Sequence, residues 1–340
     1  MAEETVTGTS MSLLDDNPPD PLKGPGDSLP PAGETSEPSS AEFATPLAGD
    51  PISYVAVHPE AAHPRNSHLP EDLRIPWSWV HLIVFGLFFV VTQFAIGTVV
   101  IGYYSVYRHL SQRQIKQLLE SDPKLLVSTS TLTLALIFLF LYVTLSVLRD
   151  LPFWRTLGWK KLKSDPIAGK GKPWMYFLSG CGLSLFVAIA SARVKEAEHA
   201  PIQEFFKSRN GAMLLMAMAV FVAPLAEETI FRGYLYPVIA RTISAVAHFF
   251  GMEFSLAIRT GVASSILVTG ILFGLMHGPQ LGENWALVSL LMLVGVIFTF
   301  ARARSGTVLA SFFLHLGYNS MIALTSIIAT RGFTRMPPHP

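Results

Sequence analysis

The sequence predicts an all-α, polytopic membrane helix bundle of seven or eight transmembrane helices, preceded by a disordered N-terminal tail. Three observations carry this expectation. Half of the 340 residues are apolar and only 14% are charged, whereas an average soluble domain carries about a quarter charged residues. Six uncharged runs of 18–26 residues follow one another after residue 78, and about 20 apolar residues suffice to cross the hydrocarbon. Charge is also segregated, since residues 1–78 hold 13 of the 24 Asp/Glu but only 3 of the 25 Lys/Arg. A single cysteine, Cys181, excludes an intramolecular disulfide framework, a zinc-finger cage and an iron–sulfur site. A net charge of +1 offers no basic face to a nucleic acid.

Taken in order, residues 1–78 read as an acidic, proline-rich, disordered tail. They contain 13 of the 24 prolines, and stretches such as Pro18-Pro19-Asp20-Pro21 show no apolar period. Such composition cannot offset the entropy of ordering. The polar, acidic start from Met1 to Ser10 does not read as a signal peptide. Residues 79–210 carry three spans, Val80–Tyr104, Leu125–Leu148 and Trp174–Ala192, the first flanked by Trp77, Trp79, Tyr103, Tyr104 and Tyr107 as aromatic belts.

Residues 211–328 form a second unit. Its uncharged runs are Gly211–Ala226, Thr260–Gly282, Asn284–Ala301 and Ser305–Thr330, with histidines counted as neutral. Gly211–Ala226 is short for a span and runs directly into Glu227-Glu228, so this helix either stops shallow or carries two acids into the membrane. Phe231–Ile258, with Pro237, Arg241, His248 and Glu253 among apolar residues, reads as a kinked span or an interfacial helix. Residues 329–340 are left as a short C-terminal tail. The connection Arg149–Pro173 holds seven Lys/Arg, which orients it and the N-terminus towards the cytoplasm. Its run Lys160-Lys161-Leu162-Lys163 belongs at an anionic headgroup surface.

Ionisable groups at membrane depth are costly and mark function. Three clusters qualify. In Glu227-Glu228-Thr229-Ile230-Phe231-Arg232, Glu228 and Arg232 stand four apart with the acid first, which suits a helical ion pair. Glu227 points about 100° away and is left free. His277 follows Gly270 and Gly274 and precedes Gly278 in a small-residue ladder that brings backbones close. His315 and Asn319 share one face of the last span. A carboxylate, two imidazoles and an amide on three helices can bind and activate a water, and two histidines with a glutamate also match a catalytic zinc set. The chain lacks a His-Glu-x-x-His motif, a Gly-x-Ser-x-Gly elbow and a cysteine near a histidine, so soluble-zinc-protease, serine and thiol mechanisms find no support.

Together the clusters resemble the CAAX protease and bacteriocin-processing family of intramembrane endopeptidases. That family's Glu-Glu-x-x-x-Arg, Phe-x-x-x-His and His-x-x-x-Asn motifs stand here as Glu227-Glu228…Arg232, Phe273…His277 and His315…Asn319. The resemblance implies hydrolysis of a peptide bond, with Glu227 as general base and Glu228 and Arg232 in support. It implies that His277 and His315 position the water, or a divalent metal such as zinc held with Glu227, and that Asn319 helps hold the oxyanion. The implied partners are membrane lipid and a peptide or protein substrate, with a lipidated C-terminus or a leader sequence, and no nucleic acid. In a bacterium the location would be the plasma membrane. Two other classes stay open on the residues alone: a catalytically silent immunity or scaffold protein of the same fold, and a transporter or proton relay.

Overall fold

The computed structural model describes residues 69–162, 171–192, 194 and 208–334. The expected tail up to residue 68, with His58, His63 and His68, lies outside the described residues, as do Lys163 and residues 335–340. Among the described residues all regular structure is helical, and seven helices are long and apolar enough to cross a membrane. The spans are α1 (Trp79–Tyr107), α3 (Pro123–Val147), α5 (Pro173–Ser191), α6 (Arg209–Phe249), α7 (Phe254–Met276), α8 (Trp285–Ser305) and α9 (Val308–Ala329). Two shorter helices, α2 (Gln112–Ser121) and α4 (Phe153–Thr156), lie in the connections.

Local chemistry fixes where these helices begin. The side chains of Ser111, Asp122, Glu253, Asn284 and Thr307 accept from first-turn amides of α2, α3, α7, α8 and α9, satisfying donors that have no intrahelical partner. Glu253 receives the amides of Ser255 and Leu256 and the Ser255 hydroxyl, which hold its carboxyl down to about 2. Pro123 and Pro173 occupy first-turn positions, where the missing N–H costs nothing.

Three sequence expectations are corrected. First, Gly211–Ala226 and most of Phe231–Ile258 are one helix of 41 residues, so the possible eighth span is the distal half of α6. At 1.5 Å per residue α6 is about 60 Å long, roughly twice the hydrocarbon thickness. It survives two internal prolines because each stands two residues after a widened π turn, Met218–Val222 before Pro224 and Glu228–Leu235 before Pro237. Widening relieves the clash of the ring with the preceding turn. Second, α7 begins at Phe254 rather than Thr260, since the Glu253 cap precedes Arg259, and it ends at Met276. His277 therefore closes the helix instead of lying inside it.

Third, the last ten residues assigned to the tail are anchored at three positions. Leu73, Ile75 and Trp77 are buried. The Trp77 indole donates to the Tyr234 carbonyl at 3.0 Å, and Arg241 donates to the Ile75 carbonyl at 2.7 Å and to that of Trp77. Three apolar residues at every second position suit an extended segment along α6, and a polar average over the tail conceals them.

The bundle centres on α9, which packs against α5 and α8, while α7 packs between α8 and the end of α6. Glycines set both close approaches. A Cβ at Gly180 would strike the Leu314 carbonyl, and one at Gly317 the Phe177 carbonyl. Gly270 and Gly274 lie against the α8 backbone at Val296 and Met292, as the small-residue ladder anticipated, whereas Gly278 falls beyond the helix end. Gly317→Leu is expected to push α9 off α5 and destabilise the protein by about 1–3 kcal/mol, read as a lowered unfolding midpoint in detergent. Gly182→Ala, on the same helix as Gly180 but with open space around it, should leave the midpoint unchanged.

Candidate active site

Glu227 and Glu228 occupy the transition from the short α-helical stretch Ala223–Glu227 into the π-helical stretch Glu228–Leu235. The two carboxylates meet different surroundings. Glu228 is fully buried, its Oε1 3.0 Å from Arg232 Nη1 and 2.9 Å from His315 Nδ1, with the Ser311 hydroxyl beside it. Arg232 is equally buried, and the α8 groups Thr299 Oγ1 and the Gly295 carbonyl accept from it at 3.2 and 2.9 Å. Its guanidinium lies 4.5 Å from the Phe273 ring centroid and 5.4 Å from that of Phe298. The helical pair read from the four-residue spacing is thus formed. Arg232 and His315 both meet Oε1, and buried charges survive only with such partners, whereas Oε2 of Glu228 is buried with no hydrogen-bond partner among the described residues.

Glu227 stands apart from that pair. Its side chain is about a quarter exposed, with Oε2 4.0 Å from His277 Nε2 and 3.9 Å from His315 Nε2. That oxygen is buried and has no hydrogen-bond partner among the described residues. The imidazoles are held from their other nitrogens. His277 Nδ1 lies 2.8 Å from the Phe273 carbonyl and His315 Nδ1 lies 2.9 Å from Glu228. Carbonyl and carboxylate oxygens only accept, so both Nδ1 atoms carry hydrogen, and the Nε2 atoms are the ones that face Glu227. Phe273 and Phe298 wall the rings, with the Phe298 centroid 4.7 Å from that of His315.

Asn319 is one turn below His315, and its Nδ2 lies 3.2 Å from His315 Nε2 and 2.8 Å from the Ala219 carbonyl. An amide nitrogen has two hydrogens, so both are committed. In this arrangement Asn319 orients His315 and leaves no donor for an oxyanion, which departs from the role the resemblance implies. The same bond bears on the zinc option. Donor atoms sharing a tetrahedral zinc at about 2.0–2.2 Å would stand about 3.3 Å apart. The carboxylate is further than that from both imidazoles, and the His315 lone pair is already accepting from Asn319. Among the described residues no three His, Cys, Asp or Glu side chains are grouped as metal ligands. As arranged, these side chains do not fit a zinc ion.

A loop holds the two site helices in register. The Trp159 indole donates to Thr229 Oγ1 at 3.2 Å, beside Glu228, and its ring lies 5.3 Å from that of Phe312, one turn before His315. The Thr307 hydroxyl accepts from the Lys160 amide and donates to the Lys160 carbonyl, while the Val308 amide donates to the Gly158 carbonyl. Sequence reasoning brought together Glu227, Glu228, Arg232, His277, His315 and Asn319, and all six do converge. It missed Thr299, Gly295, Ser311 and Trp159, because none carries charge or a motif. The single legible sign was Thr299 four residues after Gly295, one face of α8.

Fold and site together define a multi-pass membrane protein with a carboxylate–imidazole centre sunk in its helices. Residues 209–321, about a third of the chain and including all six of these side chains, match the family model described as Type II CAAX prenyl endopeptidase Rce1-like. That description agrees with the family that the three motifs resemble. No curated protein and no solved structure matches it.

Proposed function

We propose that the protein is an intramembrane endopeptidase that hydrolyses a peptide bond of a membrane-associated protein or peptide through a water held by Glu227 and His277. One observation carries the reading. A buried carboxylate oxygen without a partner among the described residues lies 3.9–4.0 Å from two imidazole nitrogens, of which His315 Nε2 already accepts from Asn319 and His277 Nε2 does not. These separations are too long for direct hydrogen bonds and short enough for one water to touch the carboxylate and an imidazole together.

In this reading the water gives one hydrogen to Glu227 Oε2 and the other to His277 Nε2, which aims an oxygen lone pair away from both. As that oxygen attacks the scissile carbonyl carbon, Glu227 takes the proton. The carbon–nitrogen bond then breaks, and the same proton passes from Glu227 to the leaving amine, so the carboxylate is regenerated. Glu228, Arg232, His315 and Asn319 act by positioning. Substrates with a lipidated C-terminus, the kind the matched family's description names, or with a leader sequence are the classes to test first.

The test places the full-length protein in lipid vesicles with membrane-anchored reporter peptides, some prenylated and some bearing leader segments, and reads new amino termini by mass spectrometry. New termini formed by the wild type are the expected result, and their absence from every reporter class would overturn the reading. A strong chelator should leave that turnover unchanged. Loss under chelation, restored by zinc, would instead require Asn319 to release His315 to a metal.

A further inference from the structure

The carbonyl that holds Asn319 is itself a product of the α6 distortion. Within the π turn Met218–Val222, the Ala223 amide donates to the Met218 carbonyl, five residues back. The next donor in that register would be residue 224, and it would serve the Ala219 carbonyl. Residue 224 is proline and has no N–H. The freed carbonyl lies within the apolar helix α6, where an unsatisfied backbone group is costly, and it is the one that accepts from Asn319 Nδ2 at 2.8 Å. The second hydrogen of that amide then reaches His315 Nε2 at 3.2 Å.

We infer that Pro224 is a positioning residue: by withholding a hydrogen from the Ala219 carbonyl, it fixes the Asn319 amide and through it the His315 ring beside Glu227. This rests on the hydrolytic reading of the site only for its consequence in catalysis, since the hydrogen-bond relay itself is independent of any reaction. Pro224 stands three residues before Glu227 but acts through α9. π turns are frequent at functional sites, and here the function of the distortion is to expose one acceptor. Pro237 repeats the arrangement after the second π turn, where the Tyr236 amide donates to the Phe231 carbonyl.

Pro224→Ala restores the N–H and should recapture the Ala219 carbonyl for the helix. The first readout needs no substrate. In full-length protein with 15N-labelled asparagine in detergent micelles, Asn319→Gln assigns the Asn319 side-chain signals. Pro224→Ala should then shift one of its two NH₂ proton resonances away from the hydrogen-bonded position and speed its exchange with solvent. Unchanged Asn319 signals in a folded Pro224→Ala protein would overturn the inference. Should that variant fail to fold, the wild-type background carries the test through Asn319→Leu. The Ala219 carbonyl 13C resonance must move when its donor is removed, and an unmoved resonance would overturn the relay.

The second readout is kinetic, on any reporter that the wild type cleaves. Pro224→Ala should lower kcat about 10-fold or more, as a small misplacement of a catalytic group does, with KM unchanged. Adding Pro224→Ala to Asn319→Ala should cost nothing further, because one relay is broken twice. Losses that multiply would overturn the inference. A wild type that cleaves nothing defeats the hydrolytic reading and leaves the spectroscopic result standing.

Discussion

Glu227→Gln abolishes hydrolysis and leaves the fold intact: that is the expected result with the largest effect. Glutamine has the same shape, but its amide cannot take a proton from water, and the loss of a positioned general base typically costs 10²–10⁴-fold. The fold should not respond, because Glu227 Oε2 has no hydrogen-bond partner among the described residues and the side chain is partly exposed. Arg232, the buried cation nearby, keeps its direct partner Glu228 when the Glu227 charge is removed. The check is paired: turnover of the vesicle reporter, and the unfolding midpoint of the same preparation. Retained turnover in Glu227→Gln would remove the carboxylate from the mechanism. A midpoint lowered by several degrees would show that Glu227 has a structural partner.

The neighbouring acid should behave in the opposite way. Glu228 and Arg232 are fully buried and bonded to one another, to His315 and to α8. Removing one partner leaves the other as an uncompensated buried charge, which typically costs about 3–5 kcal/mol. Arg232→Met alone and Glu228→Leu alone are therefore expected to unfold at much lower temperature or denaturant. The double variant should regain most of the lost stability, since apolar residues of similar volume can replace a buried pair with little net cost. Activity should not return with it. His315 Nδ1 would have lost the carboxylate that fixes its tautomer, and the ring its orientation to Glu227. A double variant as unstable as the singles would show that the hydrogen bonds to Thr299 and Gly295, not charge balance, dominate this region. Recovered turnover would show that His315 does not need Glu228.

Adjacent glutamates with opposite expected phenotypes show how far a sequence can be read. Glu228 was assigned to Arg232 by spacing alone, because four residues along a helix bring side chains together whatever the fold. That Glu227 would be free followed by elimination. Its location between two imidazoles came from three helices meeting, and no local rule places them. Ala219 marks the limit most clearly. Its side chain carries no chemistry and its carbonyl matters only because Pro224 lies in a π register, which the order of residues does not announce. Likewise, Leu73, Ile75 and Trp77 were lost in a proline-rich average, although their alternation was present in the text. The metal option could not be weighed from residue types, since Glu and two His suit zinc and water equally. The bond from Asn319 to His315 Nε2 is the geometric feature that bears on the choice, and it is visible only once α6 and α9 are packed.

The sequence by itself determined that this chain is a helical membrane protein, which segments are apolar enough to cross, and which six polar side chains are out of place among them. Those properties depend on composition and on neighbours three or four residues apart, so they are local. Tertiary structure decided that α6 runs unbroken through two prolines, that His277 caps a helix, and that one glutamate is neutralised while its neighbour faces two imidazole nitrogens. The facing of Glu227 to the two imidazole nitrogens depends on the distance between groups far apart in sequence. Such distances are set by glycine contacts such as Gly180 and Gly317, by the Trp159 loop and by one carbonyl without its usual donor.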